Sequence, residues 1–110
     1  MKVAVISDIH GNGVALDAAL ADLQREAPDR IVCLGDAAQG GPQPAQVLAR
    51  LRELACPVVI GNADAWMLDG DQSGAEIKAT PQMWETRDWS LAQLSEADRA
   101  FVRSFQPTVK

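Results

Sequence analysis

Three short apolar runs, at residues 2–6, 31–34 and 58–60, each lead into a polar motif. The motifs are Ser7-Asp8-Ile9-His10-Gly11-Asn12, then Leu34-Gly35-Asp36, then Gly61-Asn62-Ala63-Asp64. Short runs rich in Val and Ile are the mark of buried strands. Helix-like stretches separate them, which implies a parallel sheet with right-handed crossovers. All strand C-termini of such a sheet open onto one edge, so Asp8, His10, Asp36 and Asn62 are expected to converge there. The motifs lie about 26 to 28 residues apart, one strand-plus-helix unit.

The first helix is predicted over 13–26, with Leu16, Ala19, Leu20 and Leu23 on one stripe, and Pro28 blocks its continuation. The second starts near Pro44, buries Val47, Leu48, Leu51 and Leu54, and stops at Cys56-Pro57. If the strands are laid down in sequential order, both helices fall on the same face of the sheet. Yet Val3 and Val5 alternate with Ala4 and Ile6, so both faces are apolar and something else must cover the opposite one.

Beyond Asp64 the pattern is helical and less regular, so residues 1–64 form the strand-helix core and 65–110 a helical segment of one domain. Residues 70–74 suggest a loop. Thr80-Pro81 suggests a helix start with Met83 and Trp84 on the buried side. Ser90 to Gln93 and Ser95 to Asp98 both have the spacing of helix starts, and Ala97, Phe101, Val102 and Phe105 follow as an apolar stripe.

The formal charge of −5 leaves no basic footprint for general nucleic-acid binding or for an anionic membrane, whereas carboxylate clusters suit a divalent cation. No stretch approaches a membrane span, and Ser7-Asp8 interrupts the first apolar run before a signal-peptide core could form, so a cytoplasmic chain is expected. Cys33 and Cys56 lack metal-site or disulfide-framework spacing and are expected to be reduced.

Divalent transition metals favour imidazole and carboxylate together, and Asp8-x-His10 supplies one of each. Asp36 could use both carboxylate oxygens to bridge two ions, with Asn62 offering a carbonyl oxygen to the second. Two such ions would polarise a phosphate ester and activate a water, with no side-chain nucleophile needed. Asn12 is open to two readings, as a helix cap and as a substrate-binding residue; Asp64 likewise, as a helix cap and as a leaving-group acid.

These residues resemble the calcineurin-like metallophosphoesterases, specifically their small phosphodiesterase-like branch. The match runs through Asp8, His10, Gly11, Asn12, Gly35, Asp36, Gly61 and Asn62 and is close from Met1 to about Trp66. The resemblance implies a four-layer α/β/β/α sandwich, of which this chain would supply the first half, a parallel βαβαβ core with outer helices. It implies that Asp8 and His10 ligate one ion, that Asp36 bridges, and that Asn62 ligates the other. The ions would be manganese, iron, zinc or nickel, and the substrate a phosphate monoester or diester.

Two departures stand out. Ala63 occupies the position where many members carry a histidine, and His10 is the only histidine, whereas the family completes its site with C-terminal histidines. A truncated product is therefore expected, inactive alone or completed by self-association or a complementary chain across the open sheet face. A non-catalytic metal-binding or oligomeric module is the first alternative. A Rossmann-like dinucleotide-binding unit is the second, since Gly11-Asn12-Gly13 opens the first helix and Asp36 ends the second strand, although Leu16 replaces the third glycine.

Overall fold

Residues Val3–Ile6 (β1) and Arg30–Cys33 (β2) pair in parallel in the computed structural model, which describes residues 1–70 and 78–109. Their register sets Val3 against Arg30 and Val5 against Val32. Parallel neighbours need a crossover, and Gly13–Glu26 (α1) provides it, ending where Ala27 turns left-handed. Pro44–Leu54 (α2) ends the same way at Ala55.

The third apolar run lies beside β2 as expected but is shorter than a regular strand. One parallel rung joins Cys33 and Val58, with Cys33 N–H donating to Pro57 O at 3.0 Å and Val59 N–H to Cys33 O at 2.8 Å. Pro57 has no N–H to extend the ladder backwards, and Asn62–Asp69 (α3) begins just beyond it. Gln106 then bridges Val59 in parallel on the far side, so the pairing order follows the chain.

Both helices sit on one face, as the handedness rule requires: Arg50 of α2 meets Asp17 of α1 at 2.8 Å. The opposite face is open, with Val3, Val5 and Leu34 exposed at 48, 60 and 46%. The core lies on the helix side, where Val47, Leu48 and Leu51 of α2 and Cys33 of β2 are fully buried and Leu16 and Leu20 of α1 nearly so. The side chain of Ala19 stays exposed at the edge of the α1 stripe.

Pro81–Ala92 (α4) is capped by Thr80, whose hydroxyl accepts from Met83 N–H at 3.3 Å. Contrary to expectation, Met83 and Trp84 are exposed, at 46 and 38%. The helix has no apolar stripe to bury and is held instead through Arg87, which donates to the α3 carbonyls of Trp66 and Leu68 at 2.8 and 3.2 Å. A guanidinium there adds to the bond that Trp66 O already accepts from Gly70 N–H and reaches the Leu68 carbonyl in the last turn, where the helix dipole favours a cation. Trp84 leans on Trp66, ring centroids 4.4 Å apart.

Ser90 does not start a helix; α4 continues through it to Ala92, and Ser90 is buried. The second signal holds. Ser95 caps Glu96–Arg103 (α5) in a reciprocal box with Asp98, and Asp98 also binds Arg52 of α2. Val102 and Phe105 are buried and Phe101 partly so, while Ala97 faces solvent. Of the expected 70–74 loop, Gly70 is the left-handed cap of α3, and 71–74 lie outside the described residues.

This core geometry predicts the response to truncation. Leu51→Ala is expected to cost about 2 to 5 kcal/mol, whereas Val14→Ala, at a site 68% exposed, should change stability by no more than about 0.5 kcal/mol. Urea unfolding of the two variants checks this; equal losses would contradict the placement of the core.

Candidate metal centre

Beyond the strands, the parallel pairing continues into the two loops. Leu34 N–H donates to Ile6 O at 2.9 Å, Asp8 N–H to Gly35 O at 3.1 Å, His10 N–H to Asp36 O at 2.9 Å and Gly11 N–H to Ala37 O at 2.8 Å. Backbone bonds therefore carry Asp8 and His10 onto Asp36. A ligand atom from each of these three lies within 4.8 Å of the others, the one such group among the described residues.

Backbone conformation sets the aim of these side chains. Asp8, His10 and Asp36 have φ of 56, 47 and 53°, in the left-handed region. Among the described residues the other non-glycine ones there, Ala27 and Ala55, are helix C-caps. Sparsely populated backbone held in place by surrounding bonds is a feature of functional sites.

His10 Nδ1 lies 2.9 Å from Gln39 O. A carbonyl oxygen only accepts, so Nδ1 carries a proton and Nε2 is the nitrogen left to face the site, 3.6 Å from Asp8 Oδ1. Asp8 Oδ2 accepts from the Ser7 hydroxyl at 2.6 Å. That bond, with smaller contributions from Asp36 and His10, holds the Asp8 carboxyl below its ordinary value. The Asp36 carboxyl is pushed up, chiefly by burial and further by the neighbouring Asp64 and Asp8 carboxylates, against the pull of the Ala63 N–H. Two carboxylates and an imidazole nitrogen facing one another form a donor set suited to a divalent transition metal.

Asn62 stands at the same rim as the first residue of α3, exposed, between two residues that both touch Asp36. Ala63 N–H donates to Asp36 Oδ1 at 2.9 Å. Asp64 is fully buried, and its carboxylate accepts the N–H groups of Asp36, Ala37 and Gly61. Asn12 Oδ1 caps α1 by accepting from Ala15 N–H at 3.0 Å, which leaves its NH2 as the group for a ligand.

The dinucleotide alternative does not survive this geometry. The first α1 amides, on which a pyrophosphate would sit, are taken: Gly13 and Val14 donate to Gln43 Oε1 at 2.8 and 3.3 Å, and Ala15 to Asn12. Gln43 and the Gln39 carbonyl were not found from the sequence, since neither a distant side chain nor a main-chain oxygen leaves a local motif.

The profile of the calcineurin-like phosphoesterase superfamily domain matches residues 1–104. An uncharacterized protein of Methanocaldococcus jannaschii is 42% identical over 66 residues, which cover 60% of this chain and 27% of that protein. The crystal structure of a metallophosphoesterase from Sphaerobacter thermophilus superposes with a TM-score of 0.78 at 29% identity, covering 100% of this chain and 43% of the other. The crystal structure of a putative diadenosine tetraphosphatase shares the fold at a TM-score of 0.71 and 21% identity, covering 94% of this chain and 42% of the other. The chain thus spans less than half the length of the proteins it matches.

Because its pKa is raised by the fold, ionised Asp36 opposes folding at neutral pH. The penalty disappears as pH falls through that raised value to the ordinary carboxylate range. Asp36→Asn keeps the oxygen that accepts from Ala63. In chelating buffer at neutral pH the variant is expected to be at least as stable as wild type, the difference closing on acidification. Urea titrations across that range test it; a clearly less stable variant contradicts it.

Proposed function

The chain belongs to the calcineurin-like phosphoesterase superfamily, and from that premise we propose that it carries the metal-binding half of a phosphoesterase site. The observation that carries this reading is the convergence of Asp8, His10 and Asp36 within 4.8 Å. Asp8 and His10 would hold one divalent ion, Asn62 a second, and Asp36 both; manganese, iron, zinc or nickel all suit these donors. When bound, the ions supply Lewis acidity for a phosphate ester and for the attacking water.

The chain's own residues do the rest of the work by position. Gln39 O keeps the His10 proton on Nδ1. The Asn12 NH2 is placed to donate to an ester oxygen, its own oxygen being held by α1. Asp64, fully buried, cannot reach a leaving group, and Ala63 offers no proton. With neither of these residues protonating the leaving group, we expect turnover to favour esters with acidic leaving groups.

The open face of the sheet, with Val3, Val5 and Leu34, is the surface that we expect a second copy or a complementary chain to cover. Cys33 and Cys56 are free thiols, and no described helix is long and apolar enough to cross a membrane. Both features accord with a cytoplasmic setting. His10 being the only histidine favours a second reading, a metal-binding module without turnover.

Hydrolysis of aryl phosphodiesters and monoesters in Mn2+ distinguishes the two. We expect turnover that rises with leaving-group acidity and is lost on chelation. Asp8→Asn and Asp36→Asn should each lower Mn2+ affinity about tenfold or more while the chain stays folded. Mn2+ binding without turnover selects the module, and absence of both refutes the site. Sedimentation should show a dimer or larger assembly that Val5→Lys disperses; a monodisperse wild-type monomer contradicts the covered face.

A further inference from the structure

We propose that Asp64 is the positioning residue of this centre, a buried clasp that ties the loop after β2 to the start of α3 and so fixes where Asp36 points. The inference rests on the metal-site reading above but concerns a residue that touches neither metal nor substrate.

Asp64 is 0% exposed, and each carboxylate oxygen has a backbone partner. Oδ2 accepts from Gly61 N–H at 2.8 Å and from Asp36 N–H at 2.9 Å; Oδ1 accepts from Ala37 N–H at 3.0 Å. Capping α3 needs only the bond to Gly61, at the residue before the helix. The other two reach across to a loop 27 and 28 residues away in the chain. From the same helix turn, Ala63 N–H donates back to Asp36 Oδ1 at 2.9 Å. Asp36 is thus gripped at its amide by one residue and at its carboxylate by the preceding one.

Its φ of 53° is the shape this double grip imposes. The two glycines that flank the clasp permit the approach. A Cβ on Gly35 would collide with Val59 O and Gly61 N, and one on Gly61 with Asp36 Oδ1. A carboxylate is the one small side chain here with two oxygens that only accept, so Asp64→Asn would turn a donor NH2 toward backbone N–H groups.

The test compares Asp64→Asn with Asp98→Asn, which alters the other buried capping carboxylate, on α5. In metal-free buffer, amide exchange should rise at Asp36, Ala37 and Gly61 in Asp64→Asn and stay at wild-type rates there in Asp98→Asn. At a temperature where both variants keep the wild-type circular dichroism, Mn2+ affinity should fall about tenfold or more, the loss typical of groups that orient ligands, only in Asp64→Asn. Unchanged exchange, or Mn2+ binding within twofold of wild type, overturns the proposal. If wild type binds no Mn2+, the metal reading fails separately and the exchange comparison alone decides the clasp. If Asp64→Asn does not fold, wild-type exchange decides: slow amides at all three positions support it, and rates equal to the exposed Gly40 amide refute it.

Discussion

Everything at the rim depends on main-chain pairing that does not stop where the strands stop. Between Ile6 and Ala37 the ladder passes out of the sheet and through both loops, bond by bond. A side chain on a free loop would lose conformational entropy when it bound an ion; on a hydrogen-bonded loop that loss has already been incurred during folding. Asp8 and His10 are held against Asp36 by the same forces that hold β1 against β2.

The site is assembled at the expense of local comfort. Three ligand candidates occupy left-handed backbone, and two carboxylates face one another with a third, Asp64, beneath them. Such an arrangement persists because neighbouring bonds over-determine it, and a cation would relieve the repulsion. Stability comes from elsewhere, from the buried apolar cluster in which α2 packs with α1 and α5 and which includes Cys33 of β2. The core thus tolerates a strained edge, which is the usual division between scaffold and site.

Much of this is legible in the sequence alone, for physical reasons that differ by region. The β-branched runs and the two amphipathic helices placed Asp8, His10 and Asp36 on one edge because parallel topology leaves few alternatives. The uncovered face was legible too, since Val3 and Val5 alternate with Ala4 and Ile6 and only one side could receive both helices. The third run was readable as a neighbour of β2 but not as a single rung, because that depends on Pro57 and on where α3 starts. Beyond Asp64 the pattern misled. Trp84 and Met83 suggest a buried stripe, yet both are exposed and Arg87 ties α4 to the end of α3. The contacts of the Gln39 carbonyl with His10, of Gln43 with the first α1 amides and of Asp64 with the Asp36 loop join residues far apart in the chain, and periodicity carries no information about them.

The central claim is that Asp8, His10 and Asp36 form one cation site with His10 bound through Nε2. Anomalous diffraction from crystals soaked in zinc tests it most directly. The account predicts a peak about 2.0 to 2.2 Å from His10 Nε2 and from a carboxylate oxygen of both Asp8 and Asp36, with Nδ1 still on the Gln39 carbonyl. A peak elsewhere with this rim empty, or zinc on Nδ1 with the Gln39 contact broken, would contradict it.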